Sequence, residues 1–291
     1  MVVKALTTSH FPPPTSRYER SGFLKLARFL KDSSIKFGVV EGGNVIEIEG
    51  SIFGNFKKTS VSYKRSDVKL LAPCEPSKVI AIGLNYKAHA AEFNKPLPEE
   101  PMIFMKPSTS VIGPEAEIVY PTHMSRRVDY EGELAIVINR KARMVKKEDA
   151  REYILGYTCF NDVTARDLQG KDIQYTRAKG FDTFAPMGPW IETELNPADV
   201  RIETYLNSEK RQDTSTRDMI FDVYHLLSFV SHVMTLLPGD VITTGTPSGV
   251  GKMKPGDKVE VRIEGIGSLV NTLSEGHGVR VSEKNFDSMT L

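Results

Sequence analysis

The chain has 291 residues, 40% hydrophobic and 26% charged, and its 38 basic and 37 acidic side chains leave a formal net charge of +1. That length supports a substantial core, in one large domain or a small one plus a large one, and the balanced, scattered charge gives no electrostatic case for nucleic acid or a membrane surface. No apolar stretch approaches the roughly 20 residues of a spanning helix, and the two cysteines, Cys74 and Cys159, lie far apart without metal-binding spacing, so a soluble protein of a reducing, cytoplasmic compartment is expected.

Residues 1–22 carry Phe11-Pro12-Pro13-Pro14, turn and polyproline texture without hydrophobic periodicity, and predict a poorly ordered extension. Its prolines oppose the amphipathic helix of an organelle transit segment. From Leu24 the pattern changes to alternating strands, with Ile35-Lys36-Phe37-Gly38-Val39-Val40 and Val45-Ile46-Glu47-Ile48 meeting at Glu41-Gly42-Gly43-Asn44. This predicts a hairpin inside a small N-terminal β domain over residues 23–75, closed by Ala72-Pro73-Cys74-Glu75-Pro76.

Over residues 76–285 short strands dominate, among them Val79-Ile80-Ala81-Ile82, Met102-Ile103-Phe104-Met105, Val241-Ile242-Thr243-Thr244 and Val259-Glu260-Val261-Arg262-Ile263. Their glycine and proline punctuation favours a mainly β fold with some α, a roll, sandwich or barrel, over an alternating parallel sheet. One long helix is predicted over residues 218–237, where Ile220, Val223, Leu227, Val230 and Met234 recur three or four apart, and Pro238-Gly239 ends it. His225 and His232 share a face of that helix, but seven apart they do not have the spacing of a zinc pair.

Within this domain, Val128-Asp129-Tyr130-Glu131-Gly132-Glu133-Leu134-Ala135-Ile136-Val137-Ile138 places two glutamates in an apolar strand. Strand side chains alternate faces, so Glu131 and Glu133 share one with Ala135 and Val137, while Leu134, Ile136 and Ile138 line the other. A strand covered on both faces turns these carboxylates inward. Two buried neighbouring carboxylates repel, and a divalent cation offsets both the burial and the repulsion, with Asp162 as a third ligand. Oxygen-only ligation points to Mg²⁺, with Mn²⁺ or Ca²⁺ possible, rather than zinc. The plain alternative is salt bridging of the pair to Arg126 and Arg127.

Other residues suit the same chemistry. His89 and Glu92, three apart in Gly83-Leu84-Asn85-Tyr86-Lys87-Ala88-His89-Ala90-Ala91-Glu92, sit together on a short helix, where a carboxylate fixes the imidazole tautomer and raises its basicity. The polar, proline-rich 94–101 segment has the texture of a lid that carries this dyad. A helical turn capped by Asn161 or Asp162 brings Arg166 and Gln169 together to hold an anionic ligand. Lys179, amid small and aromatic neighbours, is a candidate buried cation facing substrate. Thr243-Thr244-Gly245-Thr246-Pro247-Ser248-Gly249 can wrap a carboxylate with backbone amides, but it lacks the ending of a phosphate loop.

Together, Gly83-x-Asn85-Tyr86-x-x-His89-x-x-Glu92, Phe104-x-Lys106-Pro107, Asp129-Tyr130-Glu131-x-Glu133-Leu134, Asn161-Asp162-x-x-x-Arg166-Asp167-x-Gln169, Lys179-x-Phe181-Asp182 and Thr244-Gly245-Thr246-Pro247-x-Gly249-Val250-Gly251 resemble the fumarylacetoacetate hydrolase family. The resemblance implies a mixed β-roll or sandwich catalytic domain, usually in a homodimer, with a divalent metal on Glu131, Glu133 and Asp162. It implies His89 and Glu92 as the water-activating dyad and Lys179 as a third catalytic group. Tyr86, Arg166, Gln169 and Thr246 fall at substrate-binding positions. The expected reaction is hydrolysis of a C–C bond in a 2,4-dioxo acid of the acylpyruvate type through a pyruvate enolate. Oxaloacetate decarboxylation, isomerisation or decarboxylation of a 2-hydroxydienoate, and binding of a 2-oxo acid without turnover are the alternatives.

Overall fold

The computed structural model describes residues 24–92 and 94–275. The expected extension, residues 1–22, lies outside the described residues, as do residues 276–285 at the end of the expected catalytic domain. The described chain is mainly β, arranged in a 12-stranded, a 5-stranded and a 3-stranded sheet. The large sheet begins with an antiparallel meander of Phe56–Lys64, Asn44–Gly50, Ser34–Glu41 and Lys25–Lys31, in that spatial order. The hairpin at Gly42 and Gly43 forms with positive φ at both residues, the backbone a two-residue turn between right-twisting strands needs. Strand Lys25–Lys31 then pairs with Ala185–Glu192, so the N-terminal meander continues directly into the sheet that carries the rest of the chain.

Beyond Ala185–Glu192 the sheet runs through Ile154–Asn161, Gly132–Ile138, Val241–Thr243, Val79–Gly83 and Met102–Lys106. Pairing is antiparallel throughout this stretch, apart from the parallel contact of Val241–Thr243 with Val79–Gly83. Strand Gly132–Ile138 is buried along its whole length. Leu134, Ile136 and Ile138 enter one core cluster, Ala135 and Val137 another, as the alternation predicts. Helix Val223–Val233 covers the first cluster with Val223, Leu226, Leu227 and Val230. Burial of each such side chain contributes roughly 1.5–3 kcal/mol.

This helix is shorter than the periodicity of residues 218–237 predicts. Asp222 caps it, its carboxylate accepting the amides of Tyr224 and His225, and residues 216–218 form a separate 3₁₀ turn. At the other end Leu236 exchanges two backbone hydrogen bonds with Ala142, so a tertiary bridge stops the helix before Pro238. His225 stacks with Phe221 and Phe229, a packing role. Among the described residues no helix is long and apolar enough to cross a membrane.

Candidate active site

The chain does not run straight through the two glutamates. Strand Val128–Tyr130 belongs to the small sheet, paired with Thr164–Ala165 and Gly251–Met253, whereas Gly132–Ile138 belongs to the large one. Glu131 is the bend between them, a correction to the continuous strand read from sequence. The Asp162 amide donates to the Glu131 carbonyl at 2.8 Å, and the Glu131 amide donates to Asn161 Oδ1 at 2.9 Å. This crossed pairing brings one carboxylate oxygen each from Glu131, Glu133 and Asp162 within 4.8 Å of one another, all buried.

Close packing fixes the bend. A Cβ on Gly132 would lie 2.0 Å from Thr204 Oγ1, and the Gly132 amide donates to Gln212 Oε1 at 3.0 Å. Gln212 in turn donates to Thr246 Oγ1, which donates to the Gly132 carbonyl. Gly245, at φ +87°, turns its amide onto Glu133 Oε2 at 2.9 Å. The glycine-threonine loop thus gives one backbone amide to a carboxylate of the protein itself, while the Thr244 amide donates to the Leu134 carbonyl.

Cations surround the triad. Lys179 Nζ donates to Glu131 at 2.8 Å and to Asp162 at 2.6 Å, and lies 5.1 Å over the Phe104 ring. Arg166 donates to Asp129, Glu131 and Gln169. Lys106, which the sequence reading left without a role, is fully buried and donates to Asp162 and the Val163 carbonyl. Arg127 instead pairs with Asp129 and Arg126 bonds the Thr122 carbonyl, so the salt bridges offered as the plain alternative for Glu131 and Glu133 do not form.

The electrostatics divide the acids. Burial pushes Glu131 upward, but Lys179 and Arg166 outweigh it and hold the carboxyl at about 2. Burial raises Glu133 well above the carboxylate range, and the Asp162 and Glu131 charges add to the rise. Burial lowers the Lys106 ammonium despite Asp162. Lys179 also meets burial, but Asp162 and Glu131 raise it. Among the described residues Glu131 and Asp162 have lysine or arginine partners within ion-pair distance, whereas Glu133 has none. A hard divalent cation suits a donor set of converging carboxylate oxygens, and supplies the missing charge.

Across the site, helix Lys87–Glu92 brings His89 Nδ1 within 3.1 Å of Glu92 Oε2, and the Gly249 amide donates to the other Glu92 oxygen at 3.2 Å. Asn85 anchors this wall by donating to the Thr244 and Phe221 carbonyls. His89, Glu131, Glu133, Asp162, Arg166, Gln169, Lys179 and Thr246 line one cavity of about 260 Å³, with Lys95, Phe104 and Tyr175. Glu92 reaches it through His89. Tyr86, expected to bind substrate, is a correction: its ring is 1% exposed in the core and does not line the cavity. The turn before Arg166 is also uncapped by Asn161 or Asp162. Helix Arg166–Lys171 follows the short strand Thr164–Ala165, and Ala165 holds its N-cap position.

The fumarylacetoacetate (FAA) hydrolase C-terminal family model matches residues 78–274. The chain belongs to the fumarylacetoacetate hydrolase family. An Rv2993c-like N-terminal model matches residues 24–73. The Bacillus subtilis oxaloacetate tautomerase YisK is 42% identical over 228 residues, which cover 74% of this chain and 76% of that protein. The solved 2-hydroxyhepta-2,4-diene-1,7-dioate isomerase from Mycobacterium marinum is 43% identical, with a TM-score of 0.82 over 88% of this chain and 100% of its own. Maleylpyruvate hydrolase from Sphingobium sp. SYK-6, solved with manganese(II) and pyruvate, is 29% identical, with a TM-score of 0.73 over 87% of this chain and all of its own. The mainly β fold is therefore the fumarylacetoacetate hydrolase fold, and named homologues within the family are enzymes that isomerise, tautomerise or hydrolyse.

Proposed function

We propose that the protein is a divalent-cation-dependent enzyme that forms the enolate of a small 2-oxo acid, and that its reaction is the keto–enol interconversion of oxaloacetate. The observation that carries the reading is the single cavity onto which the carboxylate triad, Lys179 and His89 all open. Mg²⁺ or Mn²⁺ held by Glu131, Glu133 and Asp162 would supply Lewis-acid polarisation of the 2-oxo group. The 42% identity to an oxaloacetate tautomerase supports the choice of reaction.

The chain's own groups supply the proton chemistry. With Glu92 accepting from Nδ1–H, His89 presents Nε2 as a base, and Gly249 holds Glu92 in place. Nε2 takes a proton from carbon 3. The C–H electron pair becomes the C2–C3 double bond, and the C2 carbonyl pair moves to oxygen. Lys179 faces that developing negative oxygen with a buried ammonium, an interaction of the kind whose loss commonly costs about 3 kcal/mol. Arg166 and Gln169, tied to each other, offer planar donors to the 1-carboxylate. Return of the proton to oxygen gives the enol, and return to carbon gives the ketone.

A second reading keeps the same enolate and adds water. The His89–Glu92 dyad is also the arrangement that activates water toward a distal carbonyl, which hydrolyses an acylpyruvate to pyruvate. The test for both follows enol absorbance of oxaloacetate and loss of acylpyruvate, with Mg²⁺ and with chelator. The tautomerase reading predicts chelator-sensitive acceleration of oxaloacetate ketonisation. Acylpyruvate cleavage without effect on oxaloacetate would replace it with the hydrolase, and chelator-insensitive turnover would refute both.

A further inference from the structure

Among the described residues, Lys95 is the one cationic side chain on the cavity wall with no carboxylate partner. Arg166 is committed to Asp129 and Glu131, and Lys179 to Glu131 and Asp162. Lys95 lies on the wall built by the His89 segment, while Arg166, Gln169 and Lys179 come from the segment after Asp162. A substrate with one anionic end against Arg166 and Gln169 therefore leaves a cation facing its remainder.

Lys95 is also held in place by its backbone. Its amide donates to the Ala90 carbonyl at 2.9 Å and the Asn94 amide to the Ala91 carbonyl at 3.1 Å. Asn94 adopts φ +51°, so the two bonds are the paired closure of a helix end by a left-handed residue. Pro96 follows and restricts Lys95 to extended backbone. The helix that carries His89 thus fixes the base of Lys95, while its flexible stem leaves the ammonium able to reach into the cavity.

We infer that Lys95 is a specificity-determining residue that binds the second carboxylate of a 2-oxo dicarboxylate, and so selects diacids over 2-oxo monoacids. The inference rests on the proposed 2-oxo acid chemistry for the orientation of substrate, and it names the substrate class within it. Lys95 is exposed at the rim of the cavity, so an ammonium–carboxylate contact there is a charge-assisted hydrogen bond weakened by solvent, which sets the expected effect at the low end for such bonds, roughly tenfold in affinity.

The test separates binding from turnover. Calorimetry on the Mg²⁺-loaded protein compares 3,3-difluorooxaloacetate, which has no proton to lose at carbon 3, with its 4-methyl ester, which lacks the far charge. Wild type is expected to bind the diacid about tenfold more tightly than the ester. Lys95→Met should bring the two within about twofold by weakening the diacid alone, and Lys95→Arg should keep most of the preference. Lys95→Met that preserves the preference, or weakens both ligands equally, overturns the inference. A wild type that discriminates the ligands but turns over neither oxaloacetate nor acylpyruvate keeps the role of Lys95 and removes the proposed reaction. Efficient ketonisation without discrimination does the reverse.

Discussion

Lys106 Nζ lies 2.5 Å from Asp162 Oδ1, both side chains are buried, and the second Asp162 oxygen accepts from Lys179. Breaking a buried ion pair by removing one partner costs about 3–5 kcal/mol. Lys106→Met should therefore lower Tm by roughly 6–20 °C, at about 2–4 °C per kcal/mol. Saturating Mg²⁺ should recover part of the loss by replacing positive charge beside Asp162. Differential scanning calorimetry checks this, and a Tm within about 2 °C of wild type would show that the pair contributes little.

Glu133 responds to cation and pH together. Burial and the Asp162 and Glu131 charges raise its folded-state pKa well above the ordinary 4.5. For a carboxyl raised on folding, the linked stability is complete at low pH and declines as pH rises above the unfolded value. Glu133→Gln removes that decline, and its amide oxygen can still accept from Gly245. The cation-free variant should thus match or exceed wild-type Tm at pH 8, yet lose the Mg²⁺-induced rise, which is about 2.7 kcal/mol at a hundredfold excess over Kd. In wild type, cation binding should expel a proton and weaken as pH falls. Titration heats that do not vary with buffer ionisation enthalpy would contradict the proton release.

His89→Ala should lower kcat about 10²–10⁴-fold, the usual contribution of a positioned general base. Glu92→Gln should lower it less, about tenfold, because Nε2 remains in place while its orientation and basicity relax. Neither change should alter cation affinity, since neither residue belongs to the carboxylate triad. Steady-state kinetics alongside calorimetry tests the division. A loss of Mg²⁺ binding in either variant would place the dyad in the cation site instead.

Both thiols are buried, and burial pushes Cys74 from 9.0 up to about 12, with Cys159 raised for the same reason. Neither should react with an aromatic disulfide reagent at pH 8, and both should react after unfolding. Because the folded thiols keep their protons, stability should decline as pH rises from about 9.0 toward 12. Rapid labelling of one thiol in the native protein would contradict the burial of that residue.

The alternation of Leu134, Ile136 and Ile138 with Ala135 and Val137 was legible because period-two patterning reports directly on a strand buried on both faces. The hairpin at Gly42-Gly43 was legible because its turn demands positive φ at both residues. The bend at Glu131 was not, since it arises from pairing of each flank with a different distant strand. Lys106 was quoted in a motif but given no role, because its meaning depends on Asp162, which lies 56 positions away in sequence and meets it only in the fold. Tyr86 sits beside site residues in sequence, and the turn into helix Lys87–Glu92 sends its ring to the core instead. Helix length failed where Asp222 and the Ala142 bridge overrode periodicity.

The central claim is that Glu131, Glu133 and Asp162 hold one divalent cation. Anomalous scattering from crystals grown with Mn²⁺ tests it most directly. The account predicts one strong peak per chain within about 2.0–2.6 Å of an oxygen from each carboxylate, the distances of hard-cation ligation, and its disappearance in Glu133→Gln. Crystals soaked in Mn²⁺ that show no peak between these three side chains, or a peak held by other residues, would contradict it.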